Sequence, residues 1–219
     1  MSDIETLIVQ PLGLTVIRRK ITDILKSQSV AQQALATAGA VDPALYNYRV
    51  LEEATNPIAH WNRDGIDADN RLPVVNVSME SSAQVQSNST IANQAYRSVF
   101  NVDCFALGIA TGQTPGDTVA GLEATRVADL VRHILLSAQF KYLDLRGVVY
   151  GRSVQNMDAF TPAINDTAVQ RVRCVRMQLS VEHVEVTQQA IGQPIEEIFI
   201  TALDEDGEVQ IAFQIGESP

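Results

Sequence analysis

Along residues 169–186, VQRVRCVRMQLSVEHVEV, apolar and polar side chains alternate for longer than an ordinary strand needs. Successive side chains of a strand point to opposite faces, so Val175, Met177, Leu179 and Val181 share one face, set against Arg176, Gln178, Ser180 and Glu182. The first face is built for burial. Fully extended, the run would reach roughly 50 to 60 Å at about 3.3 Å per residue, which predicts that part of it projects from the domain or bends. Its apolar phase is even at Val172 and Cys174, odd from Val175, and even again at Val184 and Val186. Such a phase change predicts a bulge or a sharp twist.

A second alternating run, YRSVFNVDCFALGIA, places Tyr96, Phe100, Val102, Cys104 and Ala106 opposite Arg97, Asn101 and Asp103. A third, PVVNVSME, has Val75, Val77 and Met79 on one side, and the polar tract SSAQVQSNSTIANQ after it predicts an exposed loop. Helical spacing appears first near the N-terminus. Ser2 and Glu5 have capping-box spacing, and Leu14, Ile17, Ile21, Ile24 and Leu25 recur at helical intervals up to about Ser27. A separate Ala- and Gln-rich helix is expected over residues 30–40, ended by Gly39 and then by Asp42-Pro43. Past the turn GQTPGD, with Asp117 as the expected cap, Val119, Leu122, Val127, Leu130, Val131, Ile134, Leu135 and Ala138 form an apolar helical stripe.

Residues 46–70 follow neither period, and His60 and Trp61 lie there in what reads as a long connection or inserted arm. LRGVVYGRSV is a further strand candidate, and EEIFITALDEDGEVQIAF reads as a hairpin turning at Asp206-Gly207. The elements give an α+β class: a mainly antiparallel sheet of long strands packed by one or two helices. The division expected is an N-terminal helical segment over 1–43, a core over 44–190 and a C-terminal hairpin arm over 191–219. A hairpin without a core of its own needs a surface to pair with.

Composition sets limits on this picture. With 219 residues, 46% of them hydrophobic, the chain can bury one substantial core without disulfides. Cys104 and Cys174 both fall in strand-like runs and read as packing residues, and the lack of a cysteine framework fits a reducing cytosol or a particle assembled there. The formal charge of -10 opposes ordinary nucleic-acid binding and suits solubility, or a surface past which a polyanion slides. No membrane anchor is expected, because Pro11 and nearby acids interrupt the one apolar patch at the start.

Sites for chemistry are sparse. GQTPGD lacks the Gly-Lys-Ser/Thr ending of a phosphate-binding loop. Asp64, Asp67, Asp69 and Asn70 form an oxygen-rich cluster without calcium-loop spacing. His60, His133 and His183 belong to no zinc motif, no GxSxG elbow accompanies the serines, and Glu196, Glu197 and Asp204 to Asp206 suit turn chemistry. No catalytic residue, metal or cofactor is expected. Arg171, Arg173 and Arg176 have two readings of equal standing: edge charges that discourage stray pairing, or partners for acids of a neighbouring subunit. Arg171 and Arg173 share a strand face, and Arg176 lies on the other.

Taken together, LPVVNV, NQAYRSVFNVDCFALG, ATRVADLVRHIL, LRGVVYGRSV and VRMQLSVE resemble the tail terminator or tail-completion proteins of tailed bacteriophages, over residues 44–186. The resemblance implies a small α/β sandwich that assembles with copies of itself as a ring, commonly a hexamer. That ring caps the tail tube and joins it to neck and connector proteins of the head, with DNA passing through unbound, in a virion assembled in the host cytoplasm. The N-terminal helical segment and C-terminal hairpin depart from the family pattern. A ring requires a surface that meets a different surface on the next copy, and the expected interface residues are Arg171, Arg173, Arg176, Glu182, Phe199 and Phe213. The rival readings are another phage tail or collar component, a small-molecule enzyme using residues 46–70, and a host-factor binding module using the hairpin.

Overall fold

The computed structural model describes residues 13–59, 61, 72–85, 93–110, 112–162, 172–186, 198–203 and 209–215, with backbone alone at 93, 186, 198–203 and 209–215. Residues Gln10–Val186 form one compact unit, and Met1–Val9 with Thr187–Pro219 form another.

The larger unit opens with helix α1, Gly13–Ala38, one element where two were expected. Ile17, Ile21, Ile24 and Leu25 bury a single stripe, and nothing in the Ala- and Gln-rich second half interrupts the helical hydrogen bonds. The capping-box residues Ser2 and Glu5 lie outside the described residues. The helix ends at Ala38, next to the expected glycine, but the left-handed residue of the stop is Ala40 (φ 53°) and not Gly39. There Val41 N–H donates to Ala36 O (2.9 Å) and Ala40 N–H to Thr37 O (3.3 Å), the paired bonds of a Schellman stop.

Strand β1, Arg49–Glu52, then β2, Val74–Gln84, and β3, Asn93–Leu107, follow in sequence. Helix α2, Gly116–Leu136, leads to β4, Val149–Phe160, and β5, Val172–Val186. The five strands form one sheet ordered β1-β2-β3-β5-β4, parallel at β1–β2 and antiparallel elsewhere. The protein is therefore α+β, with a mixed sheet of long strands packed against two helices. In the smaller unit β6, Ile198–Leu203, pairs antiparallel with β7, Val209–Ile215, as the hairpin pattern predicts. Its Asp206-Gly207 turn and the acids around it lie outside the described residues.

One face of the sheet carries the main core. Phe100, Val102 and Cys104 are in register with Leu179, Met177 and Val175, and Val77 and Val75 continue two of these rows onto β2. The buried stripes of α1 and α2 close over them. Along α2 the stripe is rotated from the expected one: Leu122 is 69% exposed, and Ala120, Ala124 and Ala128 are fully buried. Small side chains bring the helix close to the sheet, and at Gly108 a Cβ would meet the Gly116 carbonyl oxygen at 1.9 Å. Asp117 sits in the first turn but does not cap; Pro115 occupies that position, with its φ already near the helical value.

The expected bulge in β5 is absent, since β5 stays in unbroken register with β3 from Val172 to Val186. Val172 and Cys174 fall out of phase because they belong to a second, smaller core on the opposite face, with Val74 and Phe105, under Ile58 and Trp61. Trp61, expected in an open arm, is 4% exposed. The irregularities lie elsewhere, in β4 between Val149 and Gly151 and between Val154 and Asn156, and in β2 between Met79 and Ser81. The expected loop after Glu80 is strand as far as Gln84, with Ser81–Gln84 still paired to β3; residues 86–92 lie outside the described residues.

Candidate functional site

On the face of the sheet away from the helices a small apolar core lies at one end, and beside it is a cleft of about 590 Å³. Its floor comes from Asn76 and Ser78 on β2, Asp103 and Phe105 on β3, and Arg176 on β5; Phe160 and Pro162 flank it, and residues 53–58 form the wall.

Backbone geometry holds that wall in place. Glu53 adopts a left-handed conformation (φ 50°) that turns the chain off β1. The buried Asn76 amide then clamps Ala54 from both sides, its Oδ1 accepting from Ala54 N–H (3.0 Å) and its Nδ2 donating to Ala54 O (3.2 Å). From α1, Arg18 donates to Glu52 (2.9 Å) and to Glu53 (2.7 Å), and Met79 N–H also donates to Glu53 (2.8 Å).

The charged centre of the cleft is a fork. Asp103 and Arg176 are in register across β3 and β5, and Arg176 donates from Nε to Asp103 Oδ1 (2.7 Å) and from Nη2 to Oδ2 (2.8 Å). Asp103 is 4% exposed. The Arg176 guanidinium carbon lies 5.4 Å from the centroid of the Phe160 ring. Hydrogen bonding to Asp103 raises the Arg176 pKa above its already high ordinary value, so this charge is fixed at every working pH.

The expected interface residues occupy different places. Arg176 is in the cleft, engaged within its own subunit. Arg173 lies on the helix side and donates to Thr161 and, at 3.4 Å, to Asp117 of α2, so Arg173 and Arg176 are on opposite faces, as alternation requires. Glu182 accepts two bonds from Arg97 near the far end of the sheet. Phe199 is in register with Gln214, and Phe213 with Ile200, in the β6–β7 pair. Arg171 lies outside the described residues, as do His60, Asp64, Asp67, Asp69 and Asn70. The structure therefore brings together Arg176 and a residue that sequence reasoning left as ordinary polar strand, Asp103. Both sit on the predicted polar faces of their strands; only the register between two strands 73 positions apart makes them a pair.

Three buried titratable groups are not among the residues that line the cleft. His183 is fully buried and hydrogen-bonded through Nε2 to Ser98 Oγ (2.8 Å), which itself bonds Ser82 Oγ (2.8 Å). Its Nδ1 has no partner among the described residues, and burial lowers its pKa. Both cysteines are free and buried, and desolvation raises both thiols well above their usual range, away from nucleophilic use. Among the described residues no group of His, Cys, Asp and Glu is arranged to hold a metal ion, and no helix is long and apolar enough to cross a membrane.

No protein-family model matches the sequence, and comparison with curated proteins gives no match.

Proposed function

We propose that this protein is a structural subunit of a homo-oligomeric ring, the part that a tail terminator plays at the head-tail junction of a tailed bacteriophage. The observation that carries this reading is uncovered sheet. From Met79 to Gln84 every residue of β2 is exposed, so among the described residues neither face of that strand end is covered. The outer strand β4 buries only Val149 in twelve residues, and among the described residues its second edge pairs with nothing. A long edge strand without Pro or Lys is a template for another chain. In β6–β7 the register sets Ile198 opposite Ile215, Ile200 opposite Phe213 and Ala202 opposite Ile211. Two strands are too few to be stable alone, and apolar positions in such a register favour a further surface.

Charge supports the DNA-facing half of the reading. Residues 187–219 hold seven acidic residues and no Lys or Arg. A ring lined by such segments would repel a passing polyanion. The resemblance of residues 44–186 to tail terminators supplies the family, and the sheet edges supply the physical means of closing a ring.

Light scattering on the purified chain, with negative-stain electron microscopy, tests this. The expected result is a closed ring of about six copies that binds one end of isolated tail tubes. A monomer at working concentration that leaves tail tubes bare would overturn it. Rings found along the tube or at the collar would move the protein to another tail component.

A further inference from the structure

We propose that the cleft on the sheet face away from the helices is a binding site for a singly charged carboxylate carried on a compact apolar body. This goes beyond the ring and does not depend on it.

Arg176 provides the recognition chemistry. A guanidinium has five N–H bonds in a planar fork, and side-on pairing with Asp103 uses Nε–H and one Nη2–H. Both Nη1 hydrogens and the second Nη2 hydrogen remain, and one Nη1 hydrogen with that Nη2 hydrogen forms the end-on fork that matches a carboxylate bidentately. Asp103 is buried, so it holds the arginine in place, and the Phe160 ring supports the guanidinium. Arg176 keeps 38% of its side chain exposed, which leaves the unused edge open to a ligand.

The rest of the cleft fits the same ligand. Ser78, Thr55 and Asn56 line it and make no side-chain hydrogen bond among the described residues, so they are available to a bound oxygen. Pro57, Ile58, Phe105, Phe160 and Pro162 offer apolar surface for the body of the molecule. About 590 Å³ is within the range of small-molecule pockets.

Charge narrows the class. The cleft holds Glu53 and Asp103 against Arg176, Arg18 is shared between Glu52 and Glu53, and Asp158 lies opposite Arg176 in the β4–β5 register, so the surroundings are net negative. An anion there is held by the bonds of the fork and not by net charge, and each further negative charge on the ligand is penalised. A phosphate dianion would meet both carboxylates with no second free cation among the lining residues.

Isothermal titration calorimetry on the full chain, followed in parallel by the fluorescence of its single tryptophan, Trp61, tests the assignment. Trp61 packs in the same small core as Ile58 and Phe105, both of which line the cleft. Benzoate is expected to bind saturably, with benzamide and phenyl phosphate about tenfold weaker or worse. Arg176→Lys keeps the charge and removes the fork, and should weaken benzoate about tenfold with unchanged far-ultraviolet circular dichroism. Asn56→Trp, at an exposed wall position, should block the site by bulk. A blocked Glu-Phe dipeptide, whose only carboxylate is its side chain, distinguishes the source: binding tighter than benzoate assigns the site to a peptide, weaker binding to a free acid. Equal binding of benzoate and benzamide overturns the proposal, as does full affinity in a folded Arg176→Lys protein. If that variant does not fold, unchanged benzoate binding in Asn56→Trp overturns it.

Discussion

The two faces of the one sheet are made from the same strands by the same alternation, yet they are stabilised differently. On the helix side, Phe100, Val102, Met177 and Leu179 are fully buried beneath two helices in a continuous core. On the other side, among the described residues, Val74, Phe105, Val172 and Cys174 form a smaller core packed with Ile58 and Trp61. Beyond that core the face is polar: Asn76, Asp103 and Arg176 in one row, Ser78, Asn101 and Gln178 in the next. The helix face holds most of the apolar core, and the other face, among the described residues, is built mainly from polar side chains.

Truncation at matched positions tests this difference at its largest. Phe100→Ala removes a fully buried ring from the centre of the main core and should cost about 3 to 5 kcal/mol in urea denaturation. Phe105→Ala, on the opposite face, should cost about 3 kcal/mol, the low end of the same range, because its cover is thin and it borders a cleft that water can enter. It should also shift Trp61 emission to the red, which Phe100→Ala should not do under native conditions. A larger loss at Phe105 than at Phe100 would mean that the short cover, and not the helices, dominates stability.

The same contrast explains what the sequence made legible. Alternation in β3 and β5 identified the helix-side residues correctly, because burial under helices requires apolar residues at every second position. The small opposite core is written in the same letters, at Val172 and Cys174, but the phase change there predicts a bulge or a sharp twist just as well. Period alone does not distinguish an extra residue from a strand buried on both faces. Strand β1 escaped because four residues, RVLE, pair parallel to β2 and leave no hairpin cue. The rotated stripe of α2 escaped because Ala120, Ala124 and Ala128 carry little hydrophobic signal even though they set the distance between helix and sheet. The Asp103–Arg176 fork required the β3–β5 register, which no local pattern contains.

Each face holds one cysteine, which gives a subtler measure. Cys104 lies in the main core and Cys174 in the small one, both with no exposed surface. Labelling a buried thiol requires opening: local opening where the cover is a short segment, close to global unfolding where it is two helices. Under native conditions a thiol reagent should therefore modify Cys174 faster than Cys104, with the site read by peptide mass spectrometry. The ratio should fall toward one as urea approaches the unfolding midpoint. Equal rates throughout would show that the two faces open together, and the division between them would then be one of composition alone.

The smallest expected effect comes from His183, the ionisable group at the far end of the helix-side face. Its Nε2 is engaged with Ser98, its ring stacks on Tyr96 at 5.7 Å between centroids, and its buried Nδ1 has no partner among the described residues. A protonated imidazole needs an acceptor at each nitrogen, and only one is present. Desolvation accordingly lowers the pKa in the folded protein below the ordinary value of 6.5. The unfolded chain then binds a proton at a pH where the folded chain does not, so stability from this group is complete above about pH 6.5 and declines as pH falls through the lowered value. Urea midpoints measured from pH 8 to pH 4.5 should be flat at the upper end and fall on the acid side, and His183→Gln should lose the part of that slope lying just below pH 6.5 while carboxylate titration remains lower down. An unchanged slope in the glutamine variant would mean that Nδ1 gains a partner on protonation, by a local opening that admits water. The helix-side face would then be less closed at this end than the residues around Phe100 suggest.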